Sequence, residues 1–247
     1  MGTITCAICG KEIIGQYYYD SWGNNVCASH NRRIQCDCCY RFIGRYSTYS
    51  PITKQYGYDL MDGRHVCGLC QETSVVNGEQ VKESGEFVKK LLKKAGFDIP
   101  DGKNTVSLVS KEEMDKKWVG RIKAVGLCCT QFTTGQPETT TANIYIHGGL
   151  PKILFESILA HELLHFWVRY NGVDDPENEE GFCNIGKALV LNYYAAKRGD
   201  KYAEFIRTLT NNDPDYYYGV KFLEQKRKLQ DMGWKEYIEN ILKFKKL

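Results

Sequence analysis

The chain has 247 residues, and its 33 basic and 30 acidic side chains give a net charge of +3. A hydrophobic fraction of 43% and a charged fraction of 26% are ordinary for a globular protein with one large domain or two modest ones. So small a positive excess disfavours a nucleic acid as the main partner. The sequence shows neither a signal peptide nor an apolar run of about 18 residues. We therefore expect a cytoplasmic protein that does not enter a membrane.

Residues 1–72 are rich in Cys, Gly and Tyr, and we call them the cysteine module. Eight of the eleven cysteines lie before residue 71, and an odd total disfavours a disulfide framework. Pairs of donors separated by two residues are instead typical of structural zinc sites. The predicted ligands are Cys6, Cys9, Cys27, His30, Cys36, Cys39, Cys67 and Cys70.

The spacing leaves open how these four pairs combine. Sequential use builds one site from the first two pairs and a second site from the last two, whereas cross-braced use exchanges the second and third pairs. We favour sequential use. Cys38 and His65 are spare donors or bystanders. Because so small a module buries little apolar area, two structural Zn²⁺ ions are expected to supply its folding free energy.

Residues 73–80 are predicted to be a linker, and residues 81–247 a second domain of α+β class. A helix around Phe87–Ala95 is expected to end at Gly96. The elements expected next are a strand at Thr105–Val109, a helix at Lys111–Trp118 with Ser110 and Glu113 as a capping box, strands at Ala124–Phe132 and Ala142–Ile146, and helices at Pro151–Tyr170 and Glu180–Lys197. Residues 133–141 would join the two later strands as a hairpin, and two or three more helices follow Asp200. The pattern predicts a small antiparallel sheet followed by a helical half.

The helix predicted at Pro151–Tyr170 contains the sequence His161-Glu162-Leu163-Leu164-His165. Positions i and i+4 lie on the same helix face, so both imidazoles can reach one catalytic Zn²⁺. Glu162 would lie beside the metal and take a proton from its bound water as the general base. Burying these polar groups in an apolar helix is costly, which favours a catalytic site over histidines that are only hydrogen-bonded in a core.

A catalytic zinc needs a third protein ligand, and no His follows His165 at a suitable spacing. Glu179 and Glu180 are the candidates. We favour Glu180, because Glu180-Gly181-Phe182 resembles the segment that supplies the third ligand in zinc aminopeptidases of the gluzincin type. Glu179 can equally be a carboxylate at a helix N-terminus. Tyr218 is a candidate donor to the transition-state oxyanion, although an aromatic residue packed on the core explains it as well.

Further expectations concern the residues around this motif. The strand Ala142–Ile146 is expected at a sheet edge, where it would hold an extended peptide. His147 either lines the site or lies at the surface. Cys128, Cys129 and Cys183 are expected to be small buried hydrophobic residues.

Together these motifs resemble the ubiquitin-regulated LIM-domain zinc peptidases that limit organ growth in plants, and their compact microbial relatives. The resemblance rests on the zinc knuckles, on Asp62–Cys67, on Gly149–Pro151 leading into Ser157–Glu162, and on Glu179–Cys183. It implies a gluzincin-like peptidase domain preceded by a LIM-like zinc-ribbon module. It also implies a zinc endopeptidase that cuts selected regulatory proteins, with ubiquitin or a ubiquitinated protein as a partner.

By match of motif, the resemblance assigns zinc binding to His161, His165 and Glu180 and general-base catalysis to Glu162. One departure is the order Cys27-x₂-His30, the reverse of the usual LIM order. Two alternatives stay open. One is a catalytically silent scaffold that binds a protein partner such as ubiquitin, and the intact Glu162 counts against it. The other is a nucleic-acid-binding zinc protein, whose candidate basic patch is Arg32, Arg33, Arg41 and Arg45 near Tyr40 and Phe42.

Overall fold

A computed structural model describes residues 3–30, 34–118 and 124–247 of the chain. The chain divides into two compact units. The first contains Met1–Val75 and Gly149–Pro151, and the second contains Val76–Gly148 and Lys152–Leu247.

The elements in chain order are β1 (Tyr17–Tyr19), β2 (Asn25–Cys27), β3 (Gly57–Asp59), β4 (His65–Cys67), α1 (Gly68–Gln71), β5 (Ser74–Val75), α2 (Gly78–Ala95), β6 (Asn104–Val109), α3 (Lys111–Lys117), β7 (Gly126–Thr133), β8 (Gln136–His147), β9 (Leu150–Pro151), α4 (Lys152–Tyr170), α5 (Glu179–Arg198), α6 (Lys201–Asn211) and α7 (Lys221–Phe244), with a π-helical turn at Tyr216–Val220 before α7.

The mixed α+β class predicted from the sequence is confirmed. The segment 73–80, expected to be a linker, instead holds β5 and the first turn of α2. The domain boundaries themselves stay a prediction, because compactness does not test whether each part folds alone. Among the described helices, none combines the length and the apolar character that crossing a bilayer requires.

The first unit contains two antiparallel hairpins, β1 with β2 and β3 with β4, and a short antiparallel pair of β5 with β9. The second strand of each hairpin ends on a predicted zinc ligand, Cys27 or Cys67. Each hairpin therefore carries a thiol at a fixed position beside a turn that presents further donors.

A buried carboxylate, that of Asp20, organises the cysteine module. It accepts hydrogen bonds from the backbone N–H groups of Trp22 at 2.9 Å, Asn24 at 3.0 Å and Phe42 at 2.9 Å. The indole of Trp22 in turn donates to the carbonyl of Cys39 at 2.7 Å. A buried carboxylate is tolerated because these donors satisfy it. The bonds hold the turn after β1 against the second half of the module.

The sheet of the second unit is mixed, in the order β6-β8-β7. Strand β6 runs parallel to β8, with Val106 opposite Ile144, and β7 runs antiparallel to β8, with Cys128 opposite Ile144. The predicted antiparallel sheet was therefore wrong. The chain passes from β6 through α3 and β7 before it reaches β8, and a crossover of this length permits parallel pairing.

The strand expected at a sheet edge, Ala142–Ile146, lies in the centre of the sheet as part of β8, so that expectation was also wrong. The turn between β7 and β8 is tight, with Gly135 at a φ of 77°. Strand β8 begins at Gln136 and so includes residues that were expected to form a loop. Their threonines explain the difference, since β-branched side chains favour strands. In the part of the chain that the structure describes, β7 pairs on one side only and is an edge strand.

Helix α4 packs between the sheet and α5, as its apolar character on all faces requires. Two glycines of α5 allow close approach of its neighbours. A Cβ at Gly186 would lie 2.8 Å from the carbonyl oxygen of Ala160 in α4, and a Cβ at Gly181 would lie 2.4 Å from the backbone of Lys221. A larger residue at either position would force the helices apart.

Local signals fixed several boundaries. Ser110 and Glu113 form the predicted capping box of α3, and Gly96, with a φ of 106°, ends α2 as predicted. Helix α4 begins one residue later than expected, because Pro151 belongs to β9.

Candidate active site and zinc clusters

Three groups of metal-binding side chains occur within the described residues, each with donor atoms within 4.8 Å of one another. They are Cys6, Cys9, Cys27 and His30; Cys36, Cys39, Cys67 and Cys70; and His161, His165 and Glu180. The structure thus brings together every residue predicted as a ligand and combines the knuckles in sequential order. That these groups bind zinc stays a prediction.

The two cysteine groups have separations that suit zinc. Tetrahedral zinc with bonds of about 2.3 Å to sulfur separates two thiolates by about 3.8 Å. Cys39 Sγ lies 3.6 Å from Cys67 Sγ, and the Nδ1 atom of His30 lies 3.6 Å from Cys6 Sγ and 3.1 Å from Cys27 Sγ. No large rearrangement is needed for either set of donors to close around an ion.

The two groups differ in burial. All four donors of the second group are buried, whereas only Cys6 is buried in the first. Burial alone would raise the pKa of Cys6, but hydrogen bonds from the backbone of Cys27, Cys9 and Ile8 lower it to about 6. Thiolate is the form that binds a metal, so this environment prepares Cys6 as a ligand.

The spare donors lie outside both groups. His65 Nδ1 lies 2.6 Å from Asp59 Oδ1, and Cys38 is buried beside the second group. Of the basic patch considered for nucleic acid, Arg32 and Arg33 lie outside the described residues. The guanidinium of Arg41 covers the Trp22 ring, 3.4 Å from its centroid, and so contributes to packing.

The third group joins two helices of the second unit. His161 and His165 lie one turn apart on α4, and Glu180 is in the first turn of α5. The atoms His161 Nε2, His165 Nε2 and Glu180 Oε2 form a triangle with sides of 3.1, 3.2 and 3.4 Å. Two nitrogen or oxygen ligands of tetrahedral zinc are about 3.3 Å apart, so the triangle has the size that one zinc ion requires.

Each histidine is oriented through its other ring nitrogen. With Nε2 turned towards the triangle, Nδ1 of His161 donates to Asn184 Oδ1 at 3.0 Å, and Nδ1 of His165 donates to Glu179 Oε1 at 2.9 Å. Arg169 holds the other oxygen of Glu179 at 2.5 Å. Such partners fix the tautomer of a ligating histidine. The sequence offered Glu179 and Glu180 as alternative third ligands. In the structure they contact different nitrogens of His165.

The carboxyl group of Glu180 lies in a half-buried position. Burial opposes its ionisation, yet hydrogen bonds and charge interactions with His161 and His165 hold its pKa well below the usual range. An ionised carboxylate beside two imidazoles is a donor set that suits a divalent cation.

Glu162 lies in the same cleft as the triangle and is almost fully buried. A Cβ at Gly126 of β7 would lie 2.5 Å from Glu162 Oε1, so the absence of a side chain there makes room for the carboxylate. Burial raises the pKa of Glu162, while a hydrogen bond from the backbone of Cys128 opposes that rise. Strand β7 therefore forms the wall against which this carboxylate rests.

Tyr218 reaches the site from the π-helical turn, and its ring stacks on that of His161 with centroids 6.2 Å apart. Asp215 caps this turn by accepting from the N–H groups of Tyr217 and Tyr218. Burial and the charge of Glu180 raise the pKa of Tyr218, so its hydroxyl stays protonated and is able to donate. Asn184 Nδ2 donates to the Tyr218 carbonyl at 2.8 Å, which links the turn to His161.

These residues line a cleft of about 700 Å³. Its walls include Gly126–Cys128 of the edge strand β7, the third donor group, Lys187 of α5 and Tyr218. His147 is not one of the described residues that line the cleft. Its side chain is buried at the end of β8. Edge strand, donor group and tyrosine thus share one open space.

Two of the expected core cysteines behave differently from the prediction. Cys183 is buried, but Cys128 lines the cleft and Cys129 is exposed. Their position on the edge strand explains this, because successive residues of a strand point to opposite faces. The sequence reasoning missed Asn184 and Lys187. Their spacing of four and seven residues after Glu180 places them on one helix face and was the available signal.

Comparison with known proteins finds similarity to one family of plant proteins. Residues 102–193 match the DA1-like family, described as Protein DA1. Protein DA1-related 2 of Arabidopsis thaliana is 27% identical over 203 residues, which cover 66% of this chain and 36% of that protein. The LIM domain-containing protein HDR3 of Oryza sativa subsp. japonica is 24% identical over 205 residues, which cover 69% and 39%. Protein DA1-related 1 of Arabidopsis thaliana is 26% identical over 285 residues, which cover 89% and 50%.

The chain thus spans at most half the length of these relatives, from 36% to 50%. No solved structure matches the chain. The resemblance to the plant organ-growth regulators is confirmed, at low identity. The matched range 102–193 includes His161, Glu162, His165 and Glu180, and it ends before Tyr218.

Proposed function

On the premise of this similarity, we propose that the protein is a zinc-dependent peptidase that hydrolyses peptide bonds within protein substrates. The observation that carries the proposal is the triangle of His161, His165 and Glu180 donor atoms, which opens on a cleft beside the buried carboxylate of Glu162. Two His and one Glu are the ligand set of open catalytic zinc sites in peptidases. We infer a gluzincin-like peptidase domain on the same grounds.

Zinc held by these three side chains would supply a Lewis acid that polarises a peptide carbonyl and lowers the pKa of water to about 7. The protein's own residues then divide the remaining work. Glu162 is positioned to take a proton from the attacking water and to deliver it to the leaving amine. Asn184 and Glu179 orient the two imidazoles.

Substrate binding and charge stabilisation would involve two other parts of the cleft, β7 and Tyr218. The edge of β7 that has no strand partner among the described residues offers main-chain N–H and C=O groups to an extended peptide. The protonated hydroxyl of Tyr218 lines the same cleft and is our candidate donor to the oxyanion. Burial of Glu162 against Gly126 keeps bulk water away from one side of the base.

The experiment compares the parent with Glu162→Gln, which removes the base and leaves the three donors. The control is Glu156→Gln, the same change at a buried position of α4 outside the cleft. Each zinc-loaded protein is incubated with a native cell lysate, and new protein N-termini are mapped by mass spectrometry. We expect new termini from the parent and from Glu156→Gln, and a loss of at least about a hundredfold in Glu162→Gln.

Zinc content and circular dichroism are measured on the same samples. Equal cleavage by Glu162→Gln would overturn the assignment of the base. Zinc-loaded, folded parent protein that yields no new termini would favour the silent-scaffold alternative.

For the cysteine module we infer two structural zinc ions and a role in binding a protein partner. The resemblance to ubiquitin-regulated peptidases makes ubiquitin or a ubiquitinated protein the first partner to test. Exposed apolar side chains beside the first hairpin, including Ile14 and Tyr19, support a protein-binding surface. Titration of ¹⁵N-labelled ubiquitin with the full chain, followed by NMR, should give localised shift changes, which Tyr19→Ser and Ile14→Ser should weaken. Unchanged ubiquitin spectra would reject this partner.

A further inference from the structure

Lys187 lies on the face of α5 that carries the metal-site residues. It follows Glu180 by seven residues and Asn184 by three, and all three side chains line the cleft. At about 1.5 Å of rise per residue, Lys187 lies about 10 Å along the helix axis from Glu180. An extended peptide advances about 3.3 Å per residue, so this distance spans about three substrate residues.

The amino group of Lys187 is unusual among the charges of the cleft. In the described parts of the chain, no carboxylate lies within 4.0 Å of it. Burial lowers the pKa of Lys187, and the charge of Asp213 offsets only part of this effect. A half-buried ammonium group without an ion-pair partner costs folding free energy, which a leucine or methionine at the same position would avoid.

The neighbouring charges of the cleft already have partners. Arg169 is paired with Glu179, and Asp215 accepts from the backbone of the π-helical turn. Asp213 Oδ1 accepts from the N–H of Asp215 at 3.0 Å. Lys187 is therefore the described cation of this cleft that is left to bind an anion from outside.

We propose that Lys187 forms a subsite for a substrate carboxylate within about three residues of the cleaved bond. This inference rests on the proposed peptidase function, because it assumes that a peptide occupies the cleft. Two sources offer the same chemistry: the side chain of Asp or Glu, and the C-terminal carboxylate of a peptide. A lysine ammonium binds either as a point charge.

The test measures binding, so that it does not depend on cleavage. Zinc-loaded Glu162→Gln protein is titrated with fluorescent ten-residue peptide pools, and binding is followed by anisotropy. One pair of pools, blocked at both ends, carries a single fixed Glu or a single fixed Gln. A second pair carries no acidic residue and ends in a carboxylate or an amide. The two pairs distinguish the two carboxylate sources.

We expect the preferred carboxylate pool to bind about tenfold or more tightly than its neutral partner, as a hydrogen bond to a charged group predicts. Lys187→Met in the same background should abolish the preference, Lys187→Arg should retain it, and Lys187→Glu should reverse it towards a pool with a fixed Lys. Lys197→Met removes an exposed lysine of the same helix and should leave the preference unchanged.

Equal binding of both pools, or a preference that survives Lys187→Met, would overturn the subsite. A different result would reject the proposed function. If the binding test shows the charge preference but the parent protein cleaves no substrate, the subsite is retained and the peptidase is rejected. Cleavage without any charge preference would do the reverse.

Discussion

The donor groups of the two units differ in what surrounds the ligands. Cys36, Cys39, Cys67 and Cys70 form a closed set of four, all buried, whereas His161, His165 and Glu180 form a set of three that opens on a cleft. A closed tetrahedral site leaves no position for substrate, and an open one does. The comparison teaches that two donor groups of one protein can differ in ligand number and in access to solvent, and on our proposal this difference separates a stabilising role from a chemical one.

The largest expected effect comes from removing metal. A chelator should empty the three-donor site first, because the fourth coordination position of that site faces the cleft. Activity should then fall to background while the circular dichroism spectrum stays unchanged. Longer exposure should strip the cysteine groups and unfold the cysteine module, since structural zinc contributes about 10 kcal/mol or more to folding. Parallel measurement of zinc content, cleavage and circular dichroism checks the order. Simultaneous loss of all three would break the comparison.

A smaller effect is expected when the open site keeps its ligands and loses an orienting partner. Asn184→Leu removes the acceptor for His161 Nδ1 and the donor to the Tyr218 carbonyl. We expect a loss of about 10- to 100-fold in zinc affinity or kcat. Zinc dissociation constants and steady-state kinetics measure it. Asn184→Asp keeps the acceptor and should restore most of the affinity, and Asn192→Leu, at an exposed position of α5, serves as the control.

The substitution Gly126→Ala tests whether the Glu162 carboxylate needs the space beside Gly126. The new Cβ would lie 2.5 Å from both Glu162 Oε1 and Ile158 Cγ2, so the carboxylate has to move. A fall of about tenfold or more in kcat, with zinc content unchanged, is expected from misplacement of the base. Gly148→Ala is the matched control, since its Cβ meets only Leu108 at 3.7 Å. Full activity in Gly126→Ala would mean that Glu162 does not need its present position.

The smallest effect concerns Glu156, a fully buried carboxylate of α4 outside the cleft. Burial raises its pKa, although Tyr194 donates to it at 2.7 Å. A raised folded-state pKa gives stability that is present below the unfolded pKa and is lost as the pH rises through the folded value. Glu156→Gln should therefore raise Tm at neutral pH by about 2–4 °C, the equivalent of about 1 kcal/mol, and have little effect near pH 4.

Thermal melts of the parent and of Glu156→Gln across that pH range provide the measurement. A constant difference at every pH would show that the charge of Glu156 does not limit stability. Unchanged cleavage by this variant would sharpen the contrast between a buried carboxylate used for packing and Glu162, which faces the cleft.

Local patterns in the sequence predicted much of what the structure contains. The capping box at Ser110 and Glu113, the stop at Gly96, and the ligand spacings are set by neighbours a few residues apart. The direction of β6 was not predictable in this way, because it depends on which strand it meets after a long crossover. The partners of His161 and His165 were missed for the same reason: Asn184 and Glu179 reach them across the contact between two helices.

The close contact of Gly186 with Ala160 also bears on how such a protein changes over evolution. The separation between the histidine pair and Glu180 is set by how closely α4 and α5 pack, whereas the eight residues 171–178 that connect the two helices make contacts of their own with Lys245, Lys246 and Leu247. Changes in that connection therefore act on the C-terminal contacts, while the alignment of the three donors depends on the packing of the two helices. A lineage has little freedom at Gly186, where a single methyl group would shift His161 and His165 of α4 relative to Glu180 of α5.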